Sequence, residues 1–243
     1  ISDALRASGI SRVYNGFSGD LTTKSAEVYD TGSTARDTCV PGDSDFDYLI
    51  KIDKEYFEQE GMLDQFKDFM NQQLGLTNHP SGKITGVISV NGVDAEVEIS
   101  FMNKTNSIDF STDAALAQRL DNIRKQDPER YKYVLANIVL AKKVMKEFNV
   151  YKSAKSNPDH GGLGGIGIEI WVLQNGGSFK QAAESFLKAA EGKSFEEFTR
   201  SYYVYDFGSN HYAANEDSNT YTYPHENFVY QGDKKMTETG YKK

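Results

Sequence analysis

Two aspartates separated by one residue, Asp45 and Asp47, are the side chains best suited to carry chemistry. They flank Phe46 at the start of a short apolar run, which favours a β-strand. Alternate side chains of a strand point to the same face, so both carboxylates are expected on one side. Like charges held this close cost stability unless a cation lies between them, and hard oxygen ligands suit Mg²⁺. The pair therefore predicts a magnesium site, although Asp-x-Asp pairs also occur in turns and exposed strands.

A glycine-serine pair lies upstream of the aspartates. Gly32 and Ser33 follow a predicted strand at residues 26–30, and Pro41-Gly42 forms a turn that brings the aspartate strand back beside it. A glycine-serine turn lets backbone amides and a hydroxyl approach a triphosphate without a side chain in the way. The segment therefore predicts a triphosphate-binding turn next to metal ligands.

The segment from Gly32 to Asp47 has the sequence Gly-Ser-Thr-Ala-Arg-Asp-Thr-Cys-Val-Pro-Gly-Asp-Ser-Asp-Phe-Asp. It resembles the signature of the archaeal-type CCA-adding enzymes, which belong with the oligoadenylate synthetases and cyclic GMP-AMP synthase in the DNA polymerase beta-like nucleotidyltransferase superfamily. The resemblance implies an α+β fold, in which a nucleotidyltransferase palm with a mixed β-sheet and flanking helices precedes an α-helical second domain. It implies nucleotide binding by Gly32, Ser33 and Arg36. It also implies a reaction in which two Mg²⁺ ions bridge the carboxylates and the triphosphate while a hydroxyl displaces pyrophosphate.

The superfamily uses a third carboxylate on a neighbouring strand. Residues 93–101, the second arm of a predicted hairpin, alternate apolar residues with Asp94, Glu96 and Glu98. Counting back from Phe101 along the family pattern selects Glu96 as the third metal ligand and as the group that helps deprotonate the attacking hydroxyl. Glu98 stays an alternative. Glutamate replaces the family's usual aspartate, which also leaves an inactive homologue as an alternative.

The stretch of residues 139–155 resembles the central-domain helix of the archaeal enzymes, in which a lysine and, nine residues later, a tyrosine bind the incoming nucleotide. Lys142 and Tyr151 occupy these positions. Lys142 lies at the margin of the helix's apolar stripe, from which its ammonium could leave the edge of the core and reach phosphate. A surface lysine and a tyrosine at a helix end are the alternative interpretation.

The elements that must position these residues change in character twice along the chain. Residues 1–111 have mixed α/β patterns, including two β-rich runs joined by Asn91-Gly92, and predict the catalytic palm domain. Residues 112–205 have helical periodicity and predict a helical domain that binds nucleotide and substrate. Residues 206–243 are rich in aromatic side chains and are expected to pack onto the body.

Composition sets limits on the partners. The chain of 243 residues is 38% hydrophobic and 26% charged, as in ordinary globular proteins, and no run approaches the ~18 apolar residues of a membrane span. No membrane partner is therefore expected. A single cysteine and no visible leader favour a cytoplasmic location. The net charge of -8 argues against nonspecific nucleic-acid binding by the whole surface, but residues 119–155 hold ten basic against four acidic side chains.

These observations lead to one main functional hypothesis and two alternatives. The main hypothesis is template-independent transfer of a nucleoside monophosphate from ATP or CTP to an acceptor hydroxyl, with a tRNA-like RNA 3′ end as the expected acceptor. Residues 111–118 lack the proline and histidine of the archaeal enzymes, which argues against CCA addition itself. The alternatives are synthesis of a short oligonucleotide or cyclic dinucleotide, and a catalytically inactive protein that binds nucleotide or RNA.

Overall fold

The computed structural model describes residues 26–42, 45–90, 92–103, 112–152, 156–204 and 236–243. These residues belong to two compact units. The first takes its described residues from Ile1–Arg36 and Pro41–Ser107, and the second from Asp37–Val40 and Ile108–Lys243. The domain boundary expected at residue 111 lies outside the described residues, as does Asn91 of the expected hairpin turn.

A mixed five-stranded sheet forms the centre of the first unit. Its strands are β1 (Ala26–Thr31), β2 (Phe46–Ile52), β3 (Thr77–Asn78), β4 (Ile84–Val90) and β5 (Val93–Asn103). The spatial order is β1-β2-β5-β4-β3, in which β2 and β5 are parallel and the other neighbours are antiparallel. The helices of this unit are α1 (Gly32–Ala35), α2 (Lys54–Glu58) and α3 (Met62–Leu74). The sheet and its flanking helices confirm the predicted α+β fold, and β4 and β5 form the predicted hairpin.

Alternation along β2 determines which side chains enter the core of the first unit. Tyr48, Ile50 and Ile52 are buried, and Phe66 and Met70 of α3, one helical turn apart, pack into the same cluster. Each fully buried large apolar side chain contributes about 1.5–3 kcal/mol. Because side chains alternate, the intervening residues of β2, which include Asp47, project from the opposite face.

The second unit is helical. Its elements are α4 (Thr112–Gln126), α5 (Pro128–Glu147), α6 (Gly165–Gln174), α7 (Phe179–Ala190), α8 (Phe195–Thr199) and α9 (Glu238–Lys242). Helix α5 begins at a proline, and the Asp127 side chain accepts a hydrogen bond from the backbone N–H of Arg130 at 2.9 Å. No helix among the described residues is long and apolar enough to span a membrane.

Aromatic side chains fill much of the core of the second unit. Phe186, Phe198 and Tyr202 lie within ring-contact distance of one another. Tyr241 of α9 joins this cluster, and its hydroxyl donates to the backbone carbonyl oxygens of Ala190 at 3.3 Å and Lys193 at 3.2 Å. The described part of the C-terminal segment, residues 236–243, therefore packs on the helical unit.

Candidate active site

The glycine-serine turn and the aspartate strand meet at the end of β1. Thr31 is the register partner of Asp47 in the antiparallel β1–β2 ladder, and Gly32 is the next residue along the chain. Gly32 has a φ of +67°, and a Cβ atom added to it would lie only 1.9 Å from Asp47 Oδ2. The Asp47 carboxylate thus occupies space that only a glycine leaves free. The local chain path places a carboxylate against the glycine-serine turn.

The other residues predicted around this turn have different exposures. Ser33 is half-buried in α1, and Arg36, which ends α1, is 5% exposed. Asp45 is exposed and directly precedes β2. Nucleotide binding by Gly32, Ser33 and Arg36 and metal binding by Asp45 and Asp47 stay predictions.

The strand register distinguishes the two candidates for the third carboxylate. In the parallel β2–β5 ladder, Asp47 is the Cα partner of Glu98, so the two side chains lie on the same face of adjacent strands. Glu98 is half-buried and forms an ion pair with Lys83. Glu96 is exposed and precedes the residues of β5 that pair with β2. The register therefore favours Glu98, and the choice of Glu96 by counting from Phe101 stays an untested prediction.

The donor set of this face is suited to a hard divalent cation. Asp47 offers carboxylate oxygens from β2, Asp45 directly precedes that strand, and Glu98 offers another carboxylate from the adjoining strand. Among the described residues, no three His, Cys, Asp or Glu side chains stand close enough together to hold a metal ion. The Glu98 carboxylate already has a cationic partner in Lys83.

Lys142 lies in a different environment from the one expected. Its side chain is 2% exposed, and its ammonium donates to Glu169 Oε1 at 2.7 Å, to the Thr38 carbonyl oxygen at 2.8 Å and to Thr38 Oγ1 at 3.4 Å. The expected position at the edge of the core is therefore wrong. The physical reason is the buried carboxylate of Glu169 on α6, which pairs with the lysine inside the helical unit. Nucleotide binding by Lys142 stays a prediction.

Tyr151 contacts the glycine-rich start of α6. Tyr151 forms an isolated β-bridge with Leu163, and a Cβ atom at Gly165 would lie 2.7 Å from the Tyr151 hydroxyl oxygen and 4.0 Å from Lys142 Cε. The Lys146 ammonium lies 4.8 Å from the centroid of the Tyr151 ring. Gly165 therefore leaves the space that the Tyr151 hydroxyl occupies, whereas nucleotide binding by Tyr151 and Lys142 stays a prediction.

Sequence patterns missed the residues that hold the segment Asp37–Val40. The Tyr131 hydroxyl donates to Asp37 Oδ2 at 3.0 Å, and burial, reinforced by this hydrogen bond, raises the pKa of Tyr131 to about 12. The sequence does contain one signal for the buried ion pair of Lys142, which is Glu169. It is the only charged residue in the apolar sequence of α6, and a carboxylate in such a helix is favoured by a buried cationic partner.

Comparison with solved structures finds similar folds among nucleotidyltransferases. The chain matches the Escherichia coli MS115-1 CdnC:HORMA-deltaN complex with a TM-score of 0.51 and 17% identity, over 80% of this chain and 66% of that chain. It matches the Elizabethkingia meningoseptica CdnE cyclic dinucleotide synthase with GTP and Apcpp with a TM-score of 0.48 and 13% identity, over 85% of this chain and 78% of that chain. It matches Trypanosoma brucei terminal uridylyl transferase 4 with bound UTP and UMP with a TM-score of 0.43 and 11% identity, over 79% of this chain and 67% of that chain.

The chain thus spans just under two thirds of the length of the CdnC chain. No protein-family model matches it, and no curated protein matches it. The sheet and helices have the α+β fold of a nucleotidyltransferase. At these identities the similarity establishes the fold, and an activity has to be inferred from the residues of the site.

Proposed function

We propose that the chain is a template-independent nucleotidyltransferase, which transfers a nucleoside monophosphate from a nucleoside triphosphate to an acceptor hydroxyl. The observation that carries this proposal is the position of the Asp47 carboxylate, 1.9 Å from where a Gly32 Cβ would lie. A carboxylate that can bind metal is thereby held against a turn whose backbone amides can approach a triphosphate. The nucleotidyltransferase fold supports the same class of reaction.

Each residue of the site has a proposed role. The backbone amides of Gly32 and Ser33 and the Ser33 hydroxyl bind the triphosphate, and the guanidinium of Arg36 supports that turn. Asp45 and Asp47 hold Mg²⁺, with Glu98 as the third ligand and Glu96 as its alternative. Two bound Mg²⁺ ions would supply charge neutralisation on the phosphates. The carboxylates of Asp45, Asp47 and Glu98 would hold these cations.

The proposed reaction exchanges a phosphoanhydride bond of the nucleoside triphosphate for a phosphate ester bond to the acceptor. The acceptor oxygen attacks the α-phosphorus, a new O–P bond forms, and the bond from that phosphorus to the pyrophosphate oxygen breaks in line with the attack. The proton of the acceptor hydroxyl passes to the third carboxylate, for which Glu98 lies beside Asp47 in register. The products are the extended acceptor and pyrophosphate.

The acceptor is either an RNA 3′ end or a second nucleotide. An RNA acceptor requires exposed cations that follow its phosphate backbone. At least four of the ten basic residues between positions 119 and 155 already have carboxylate partners: the pairs are Arg124 and Lys125 with Asp121, Lys132 with Glu129, and Lys142 with Glu169. Local neutralisation reduces the attraction for a polyanion, and this observation favours the second candidate, synthesis of a short oligonucleotide or cyclic dinucleotide.

The test is incubation with each labelled nucleoside triphosphate and Mg²⁺, with and without a pool of small RNAs, followed by measurement of pyrophosphate and products. Extended RNA supports the RNA acceptor, and short products without RNA support the nucleotide acceptor. The variants Asp45→Asn and Asp47→Asn keep the shape of each side chain while removing its charge, and we expect both to be folded and inactive. If the wild-type chain releases no pyrophosphate by either route with any divalent metal, the proposed function is wrong.

A further inference from the structure

The ion pair between Lys142 and Glu169 is not used by the proposed reaction, although both side chains are almost completely buried in the helical unit. Taking two charges out of water carries a large desolvation cost, and apolar residues of similar volume often give equal or greater stability. A gain in stability is therefore a poor explanation for this pair. Its geometry has another consequence, because the same ammonium also donates to Thr38.

The segment that contains Thr38 belongs to the helical unit. Asp37–Val40 is grouped with the second unit, although the residues on both sides of it in the sequence belong to the first. The side chains of Thr38 and Val40 are buried. Asp37 has a φ of +59°, a left-handed backbone conformation that non-glycine residues seldom adopt unless their surroundings hold them there.

Two residues of α5 hold this segment. The Tyr131 hydroxyl donates to the Asp37 carboxylate at 3.0 Å, and the Lys142 ammonium donates to the Thr38 carbonyl oxygen at 2.8 Å. The Glu169 carboxylate at 2.7 Å fixes the lysine from α6. A pair of apolar residues could fill this volume but could not donate to the Thr38 carbonyl oxygen. The Lys142–Glu169 pair therefore fills this volume and also directs a hydrogen bond to the Thr38 carbonyl oxygen.

Thr38 follows the glycine-serine turn closely in the sequence, with Ser33 only five residues upstream. We propose that Lys142, oriented by Glu169, is a positioning residue that holds Thr38 so that the Gly32–Arg36 turn keeps the conformation that receives the triphosphate. Tyr131 has the same role through Asp37. This inference rests on the proposed function for its kinetic consequence, but its structural consequence can be measured without turnover.

The test compares the double variant Lys142→Met/Glu169→Leu with wild type. The double substitution replaces the ion pair by apolar side chains, so neither member of the pair is left as an unpaired charge in the core. We expect a cooperative thermal transition like that of wild type, faster hydrogen exchange of the amides in residues 32–36, and a rise of about tenfold in the KM for the nucleoside triphosphate. Unchanged exchange in residues 32–36 would overturn the inference, whether or not the chain is an enzyme.

A second variant separates positioning from direct phosphate binding by Lys142. Tyr131→Phe removes the hydrogen bond to Asp37 and leaves Lys142 in place, and we expect it to raise the same KM and the same exchange rates, by a smaller factor. Tyr133→Phe is the matched control, because Tyr133 lies on the same helix with 53% exposure. A raised KM in the double variant with Tyr131→Phe equal to wild type would overturn positioning in favour of direct contact. Should the double variant fail to fold, Tyr131→Phe and its control decide the question.

If wild type releases no pyrophosphate but exchange in residues 32–36 rises in the variants, the proposed function fails while the anchoring of the turn stands. If wild type is active and exchange does not change, the anchoring fails while the function stands. The two ideas can therefore be refuted independently.

Discussion

Replacement of Gly32 by alanine tests the contact on which the proposed site depends. Real Cβ atoms essentially never approach another heavy atom closer than 3.0 Å, whereas the alanine Cβ would lie 1.9 Å from Asp47 Oδ2. The carboxylate must therefore move by at least 1.1 Å, the difference of those two distances. A misplacement of about 1 Å in a reacting geometry costs on the order of 100-fold in rate. We expect pyrophosphate release by Gly32→Ala to fall by about that factor or more.

The backbone cost of the same substitution is separate. At a φ of +67°, an alanine pays about 1–2 kcal/mol relative to glycine, and each kcal/mol lowers the Tm of a chain of this size by about 2–4 °C. Gly42→Ala is the matched control, because Gly42 has a φ of +80° and no atom within 4 Å of the added Cβ. We expect similar losses of Tm in the two variants and a large loss of activity only in Gly32→Ala.

Steady-state pyrophosphate release and thermal melts on the same samples provide the comparison. The reasoning is refuted if folded Gly32→Ala keeps activity within about threefold of wild type, since the clash then fails to displace the carboxylate by the amount that costs about 100-fold. It is also refuted if Gly42→Ala loses as much activity, because backbone strain would then account for the whole effect.

Two further predictions concern the third carboxylate and Tyr131. Glu98→Gln should lower pyrophosphate release by about 100-fold or more and by a larger factor than Glu96→Gln, and the reverse ranking would return the role to Glu96. In an ultraviolet difference titration against Tyr131→Phe, the phenol of Tyr131 should ionise near its raised pKa of about 12, and ionisation near the usual 10.0 would contradict the partial burial of the phenol and its hydrogen bond to Asp37. Because folding raises this pKa, the stabilisation is complete below about pH 10 and is lost as pH rises towards 12, so alkaline unfolding of wild type in that window should be steeper than that of Tyr131→Phe.

The fold was largely predictable because its signals are local. The short apolar run at residues 46–52 and the alternation along residues 93–101, which follow Gly92 of the β4–β5 turn, indicate strands. Helical periodicity after residue 112 indicates the helical unit. The neighbouring placement of Gly32 and Asp47 was also expected, since a short connection brings consecutive antiparallel strands together. These features depend on residues close in sequence.

The remaining features depend on pairings between distant residues. Spacing along one strand cannot say whether Glu96 or Glu98 lies beside Asp47, because that depends on the β2–β5 register. Helical periodicity placed Lys142 at the margin of the apolar stripe of its helix. It contained no information about the pairing of Lys142 with Glu169, which lies 27 residues away on another helix.

The sequence by itself therefore determined the class of fold, and it predicted the type of chemistry through the spacing of a glycine-serine turn and an aspartate pair. Only the tertiary structure decided which glutamate adjoins Asp47 and that Lys142 is enclosed with Glu169 and Thr38. The physical reason is that strand register and buried ion pairs are set by contacts between segments far apart in the chain, which short-range patterns do not encode.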